Sequence, residues 1–173
     1  MKIALTGGIA CGKSAVAALL ARAGFETLDA DDVVHELIPD AEERRRIARE
    51  VFADPSKRRE LEAKLHPLVQ KRLETFKGIH IIPLLFECNW DVKYDIICTV
   101  RSDEELQIRR MIENRGYTRD EALGRLAAQM PVDEKARKSH YVINNNGSLE
   151  ELEQAVNKFI LWLSENHIIV DRN

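Results

Sequence analysis

Short, nearly continuous apolar runs alternate along this chain with longer stretches of helical period, a pattern that predicts a parallel sheet covered by helices on both faces. The first run is Met1, Ile3, Ala4 and Leu5; a glycine turn follows, then Ala15-Val16-Ala17-Ala18-Leu19-Leu20-Ala21-Arg22, a helix that stops at Gly24. Phe25-Glu26-Thr27-Leu28 reads as a second strand, and Val33-Val34-His35-Glu36-Leu37 as the start of a helix. From residue 40 to residue 77 the period is helical and the composition strongly charged, with Ile47 and Val51 on one face. Pro55 and Ser56 interrupt it, Ser56 serving as cap for a helix over about residues 57–76. Leu61, Leu65, Leu68 and Leu73 form that helix's apolar face. Pro67 lacks an N–H and predicts a kink or split after His66.

Gly78 closes the charged region, and Ile79-His80-Ile81-Ile82-Pro83 suits a buried strand. Leu84-Leu85-Phe86-Glu87 follows as an apolar loop ending in a carboxylate, and Tyr94-Asp95-Ile96-Ile97-Cys98-Thr99-Val100 is the fourth strand. Ser102 or Asp103 caps a helix over residues 104–115. Thr118-Arg119-Asp120-Glu121 has the form of a capping box for a further helix to Met130, stopped by Pro131. His140-Tyr141-Val142-Ile143-Asn144 is the fifth strand, and Ser148 caps a terminal helix with Leu152, Val156, Phe159, Ile160 and Leu163 as its buried stripe. Ile168-Ile169-Val170 is left unassigned, and neither an internal repeat nor a low-complexity linker is present. The expected fold is α/β: three α/β/α layers around a five-stranded parallel sheet. Its carboxyl edge collects the first glycine turn, residues 29–32, residues 84–87 and residues 144–147.

Composition narrows the partners. The net charge is −3 over 173 residues, so nothing in the bulk charge draws the chain to nucleic acid or to a membrane surface. Arg44, Arg45, Arg46, Arg58 and Arg59 then read mainly as an exposed face among mixed-sign neighbours. No apolar run has the length of a membrane span and no basic leader precedes the first strand, which predicts a cytoplasmic protein of one domain. Cys11, Cys88 and Cys98 are odd in number and far apart, against a disulfide framework or a zinc site. Cys88 and Cys98 read as apolar fillers. Cys11 sits at a helix N-terminus, where a thiolate is expected to be favoured.

The glycine turn carries the chemistry. Gly7-Gly8-Ile9-Ala10-Cys11-Gly12-Lys13-Ser14 matches the phosphate-binding loop, Gly-x-x-x-x-Gly-Lys-Ser, between an apolar strand and an Ala/Leu-rich helix. Gly7 and Gly12 let successive amides converge on phosphate oxygens, and the helix adds its dipole and its unpaired N–H groups. Lys13 supplies a full charge for the terminal phosphates, and Ser14 a hydroxyl for Mg²⁺. Asp31 or Asp32 is either the cap of the next helix or a carboxylate delivered beside the phosphates to handle a proton or a metal. The guanine-reading Asn-Lys-x-Asp sequence is absent; the nearest stretch is Asn144-Asn145-Asn146-Gly147. Arg109, Arg110, Arg115, Arg119 and Arg125 lie where a lid would close over transferring phosphate and exclude water.

Taken together the motifs resemble the dephospho-CoA kinase family. The resemblance rests on Leu5-Thr6-Gly7-Gly8-Ile9 with Gly12-Lys13-Ser14, Asp29-Ala30-Asp31, Leu65-His66-Pro67, Pro83-Leu84-Leu85-Phe86-Glu87, Gln107 with Arg110 and Gln129, and Val142-Ile143 with Asn145, in family order over nearly the whole chain. It implies transfer of the ATP γ-phosphoryl group to the 3′-hydroxyl of dephospho-CoA, with Mg²⁺, by a monomer or weak homo-oligomer. It implies a core of residues 1–30, 78–102 and 139–173, a helical acceptor-binding region of residues 31–77 and a lid of residues 103–138. Asp31 becomes the base, with Lys13 and Arg110 as its catalytic companions. Gly8, Ile9, Ala10, Cys11, Gly12, Lys13, Ser14, Ala15, Arg115 and Asn145 hold ATP; Asp31, His66, Leu84 and Glu87 meet the acceptor; Ser14 meets the metal.

The chain departs from the family pattern in places. Asp54-Pro55-Ser56-Lys57-Arg58-Arg59 stands where an Asp-Gly-x-x-Asp-Arg stretch is expected, Asn114 where a lid arginine is common, Ser139-His140 for Ala-Asp, and Cys11 for Ser or Gly. Two other readings share the phosphate loop: a shikimate-, gluconate- or nucleotide-type kinase, and a nucleotide-binding switch without an acceptor.

Overall fold

The computed structural model describes residues 1–168, with side chains throughout except at Ala48, Phe52, Ala53, Pro55 and Arg58; Ile169 and Val170 lie outside the described residues. Two compact units are present, Met1–Thr27 with Gly78–Asn173, and Leu28–Lys77. In chain order the elements are β1 Ile3–Gly7, α1 Lys13–Arg22, β2 Thr27–Asp29, α2 Ala30–Leu37, α3 Ala41–Ala53, α4 Pro55–Thr75, β3 Ile79–Ile81, β4 Ile96–Arg101, α5 Glu104–Arg115, α6 Arg119–Ala127, α7 Val132–Arg137, β5 Tyr141–Asn144 and α8 Leu149–Glu165.

The sheet has five strands in the order β2-β3-β1-β4-β5. β1 pairs in parallel with β3 (Ile3 with Ile79) and with β4 (Ile3 with Ile96), and β4 pairs in parallel with β5 (Cys98 with Tyr141). Every residue of β1 is buried, as a strand covered on both faces demands. Ile3, Leu5, Val16, Leu20, Cys98, Val100, Ile143, Val156 and Phe159 belong to one core cluster, against which Tyr141 and Trp162 pack. Tyr141 lies 5.0 Å from Phe159 and 5.2 Å from Trp162 between ring centroids, so α8 seals this core with aromatic rings. Leu152, Val156, Phe159 and Leu163 form the predicted stripe, Ile160 standing at its margin. The expected capping box of Thr118 with Glu121 opens α6, and the cap expected at Ser148 is also a full box, with Glu151, at the start of α8.

The second unit contains α2, α3 and α4. Each begins at an aspartate whose side chain accepts a backbone N–H: Asp29 from Asp31 at 2.9 Å, Asp40 from Glu42 at 2.8 Å, and Asp54 from Ser56 at 2.8 Å. Asp54 also accepts the Ser56 hydroxyl, and these bonds hold its carboxyl below the ordinary carboxylate range. The cap of α4 is therefore Asp54, with Pro55 at the first helical position, where its missing N–H is harmless. Ser56 is the capped residue and not the cap. α4 runs unbroken through Pro67. The buried face contains Val69 and Leu73, while Leu68 points outward, 48% exposed. Arg44 donates to the carbonyls of Ile38 and Pro39, and Arg46 pairs with Glu43 and Glu50, so these arginines are engaged locally.

Candidate active site

β1 delivers the chain to the carboxyl edge of the sheet, and the loop between it and α1 wraps the helix N-terminus. Gly12, in the left-handed region at φ 90°, is the N-cap of α1. Ala10 is also left-handed, at φ 57°, a conformation that opposes a Cβ and persists because the surrounding bonds fix it. The Lys13 ammonium donates to the carbonyls of Gly7 at 3.1 Å and Gly8 at 2.8 Å, arching across the loop. Ser14 is exposed in the first turn of α1, and Ala15 is half-buried behind it. Cys11 is wholly buried in the core cluster, and burial raises its thiol above the ordinary value despite the charge of Lys13. The expected favouring of the thiolate is reversed in direction: desolvation outweighs the charge of Lys13 and the hydrogen bonds from Ser102 and Gly8.

Three side chains grip the outer side of this loop. Gln107 donates to the Ile9 carbonyl at 2.6 Å, Arg110 to the Ala10 carbonyl at 3.3 Å, and Asn145 to the Cys11 carbonyl at 2.8 Å. Arg110 also donates to the Ser102 hydroxyl at 2.9 Å and the Asn145 carbonyl at 3.0 Å, and Ser102 donates to that same carbonyl at 2.8 Å. Ser102 is thus a buried link between β4 and β5, and the N-cap position of α5 falls to Asp103. Arg115 lies exposed at the end of α5, with Gly116 closing the helix in a left-handed conformation.

α5, α6 and α7 stand over the loop's first half. Gly8, Ile9, Gln107, Leu126, Gln129 and Val132 are among the residues lining a cavity of about 380 Å³ between them. Arg119 forks onto both oxygens of Glu105, joining α5 to α6, and Arg125 stacks over the Tyr117 ring at 4.2 Å. Arg101 binds Asp133 and Asp103. Glu87 accepts from Met130 N–H at 3.0 Å and from the fully buried Lys135 ammonium at 2.8 Å, and Lys135 donates also to the Pro83 carbonyl at 2.8 Å. Leu84 is half-buried on the same turn.

In the second unit Asp31 is exposed in the first turn of α2, and the capping role goes to Asp29. His66 is half-buried on α4. Sequence reasoning missed α7 and Lys135, as well as the bond of Gln107. Pro131 both follows α6 and stands at the N-cap of α7, since a proline marks the entry to a helix as readily as the stop of one. A lysine amid Asp133, Glu134 and Arg137 carried no sign of burial.

The family model described as dephospho-CoA kinase matches residues 1–43 and 40–151, spanning both units and the whole loop site. The chain belongs to the dephospho-CoA kinase family. A dephospho-CoA kinase of Geobacter metallireducens is 40% identical, covering 92% of this chain and 94% of its own length. The crystal structure of TT1252 from Thermus thermophilus is 35% identical with a TM-score of 0.78, covering 94% and 97% of the two chains. The structure of dephospho-CoA kinase from Campylobacter jejuni, at 23% identity and a TM-score of 0.69 over 96% and 100%, shares the fold. Membership in the dephospho-CoA kinase family sets aside both the shikimate- or gluconate-type kinase and the acceptor-free switch.

Proposed function

We propose the following division of labour for the family's reaction in this chain. As a dephospho-CoA kinase it uses ATP to phosphorylate the 3′-hydroxyl of dephospho-CoA, the last step of coenzyme A synthesis. The family match across the phosphate loop carries this reading. Residues 8–15 hold the ATP phosphates through loop amides and the first turn of α1, and Lys13 neutralises charge on the terminal phosphates as it shifts during transfer. Asp31 takes the proton of the attacking hydroxyl; its freedom from the capping role supports this assignment. Residues 31–77 shape the acceptor site, with His66, Leu84 and Glu87 near the acceptor. Residues 103–138 form the lid, to which Arg110 and Arg115 belong, and Asn145 lies on the ATP side.

Mg²⁺ fits this donor set. Among the described residues no group of three His, Cys, Asp or Glu side chains stands together as a protein cage, whereas the exposed Ser14 hydroxyl opens α1. A phosphate-loop Ser or Thr hydroxyl is one of the groups that hold Mg²⁺ at such phosphoryl-transfer sites, beside a carboxylate and the substrate phosphates. There the ion would screen the phosphate charge, while the chain's own groups orient ATP and move the proton.

ADP release measured with dephospho-CoA, adenosine, shikimate or no acceptor tests the reading. Turnover requiring dephospho-CoA is expected. Equal ADP release without any acceptor would overturn it.

A further inference from the structure

Ile9, Ala10 and Cys11 are consecutive, and each carbonyl accepts a side-chain donor from outside the loop. In a trans peptide the C=O and the following N–H point in opposite directions, so holding a carbonyl outward turns the next amide inward. The amides so fixed are those of Ala10, Cys11 and Gly12; that of Cys11 donates within the loop itself, to the Gly8 carbonyl at 3.4 Å. Gln107 and Arg110 stand three residues apart on α5 and therefore reach the loop from one helix face.

The glycines answer the same demand. Gly8 is not among the glycines with positive φ, so its backbone conformation does not call for glycine. A Cβ there would lie 2.5 Å from Gln107 Nε2, and one on Gly12 would lie 2.2 Å from Asn145 Nδ2. Both positions leave room for the donors that seize the carbonyls.

We infer that Gln107, Arg110 and Asn145 act as a harness of positioning residues, orienting the phosphate-loop amides toward the β- and γ-phosphates of the nucleotide. Arg110 then works through the loop in the ground state and not by meeting charge that appears only during transfer. The inference rests on the kinase reading for the identity of the nucleotide and adds Gln107 to the residues that govern its binding.

The test is Gln107→Met, which keeps length and removes the donor, with Gln107→Glu as a second variant. Affinities for ATP with Mg²⁺ and for inorganic tripolyphosphate are measured by calorimetry, alongside steady-state kinetics and thermal melting. Both affinities are expected to fall roughly tenfold, with KM for ATP rising in step, the loss of one buried donor. KM for dephospho-CoA at saturating ATP is expected to stay within about twofold in the Gln107 variants, because the bond removed is one to the phosphate loop. Arg110→Lys, which retains charge but not the planar fork, is expected to raise KM for ATP more than it lowers kcat.

Unchanged tripolyphosphate affinity in both Gln107 variants would overturn the inference. So would an Arg110→Lys enzyme whose kcat alone falls, or equal rises in both KM values with a loss of melting temperature. If the wild-type protein binds ATP but does not phosphorylate dephospho-CoA, the kinase reading fails, and the two affinities still decide the harness.

Discussion

The Lys135 ammonium sits 2.8 Å from Glu87 Oε1 with none of the lysine exposed, while Oε2 of the same carboxylate is buried without a hydrogen-bond partner among the described residues. This pair ties the turn after β3 to α7, and the Pro83 carbonyl shares the ammonium. Removing the lysine leaves a carboxylate mostly out of water with no counter-charge. Lys135→Met is expected to cost about 3–5 kcal/mol, and Lys135→Met with Glu87→Leu clearly less, because the second change removes the stranded charge. Urea denaturation of the wild type, both single variants and the double variant measures this.

Asp29 caps α2, and Asp31, two residues on, is the proposed base. Asp29 accepts the N–H of Asp31 and starts α2, so Asp29→Ala is expected to lose about 1 kcal/mol of stability. Asp31→Asn leaves that cap intact and is expected to lower kcat by roughly two decades or more while ATP affinity survives, as loss of a general base does. Urea melts and steady-state kinetics on the two variants separate the roles. An Asp31→Asn enzyme of normal kcat would remove this carboxylate as the base.

Lys13 bridges the carbonyls of Gly7 and Gly8 and carries the loop's full positive charge. Lys13→Ala is expected to weaken ATP binding and to slow transfer by roughly two decades or more, since electrostatic stabilisation of the moving phosphoryl group is lost as well. Calorimetry with ATP and single-turnover kinetics are the measurements. Unchanged values in both would contradict the loop's role.

Burial raises the thiols of Cys11 and Cys98, whereas Cys88 is only half-buried. Alkylation near neutral pH is expected to reach Cys88 first and to leave Cys11 and Cys98 unmodified until the chain unfolds, with or without ATP. Mass mapping of iodoacetamide-treated protein checks the order. The same shifts have a pH consequence. A thiol whose folded value lies above its unfolded one, near 9.0, holds its proton longer in the native state. Stability is therefore full below about pH 9 and declines as pH rises beyond it, which urea melts between pH 8 and 10 can follow.

Elements that obey a local rule were legible in the chain itself. The phosphate loop, the box at Thr118, the cap at Ser148 and the stripe Leu152, Val156, Phe159 and Leu163 each follow from spacing alone. Elements settled by competition were not. Three aspartates compete near the start of α2, and Asp29 wins because it still lies in extended backbone at ψ 128°. Leu68 and Val69 compete for the inner face of α4, and helical phase selects Val69. For Cys11, local electrostatics favoured the thiolate while the core decided otherwise, and local sequence does not report solvation. Lys135 is buried because Glu87 and Pro83 meet it from 48 and 52 residues away, partners invisible to any short window.

β1 lies in the middle of the sheet, with β3 on one side and β4 on the other. The nucleotide loop thus springs from a strand whose amides have no frayed edge to exchange from. In deuterium exchange, Ala4 and Leu5 should keep their protons until the sheet itself melts. The footing of the phosphate loop is then as durable as the sheet, whatever the helices above it do.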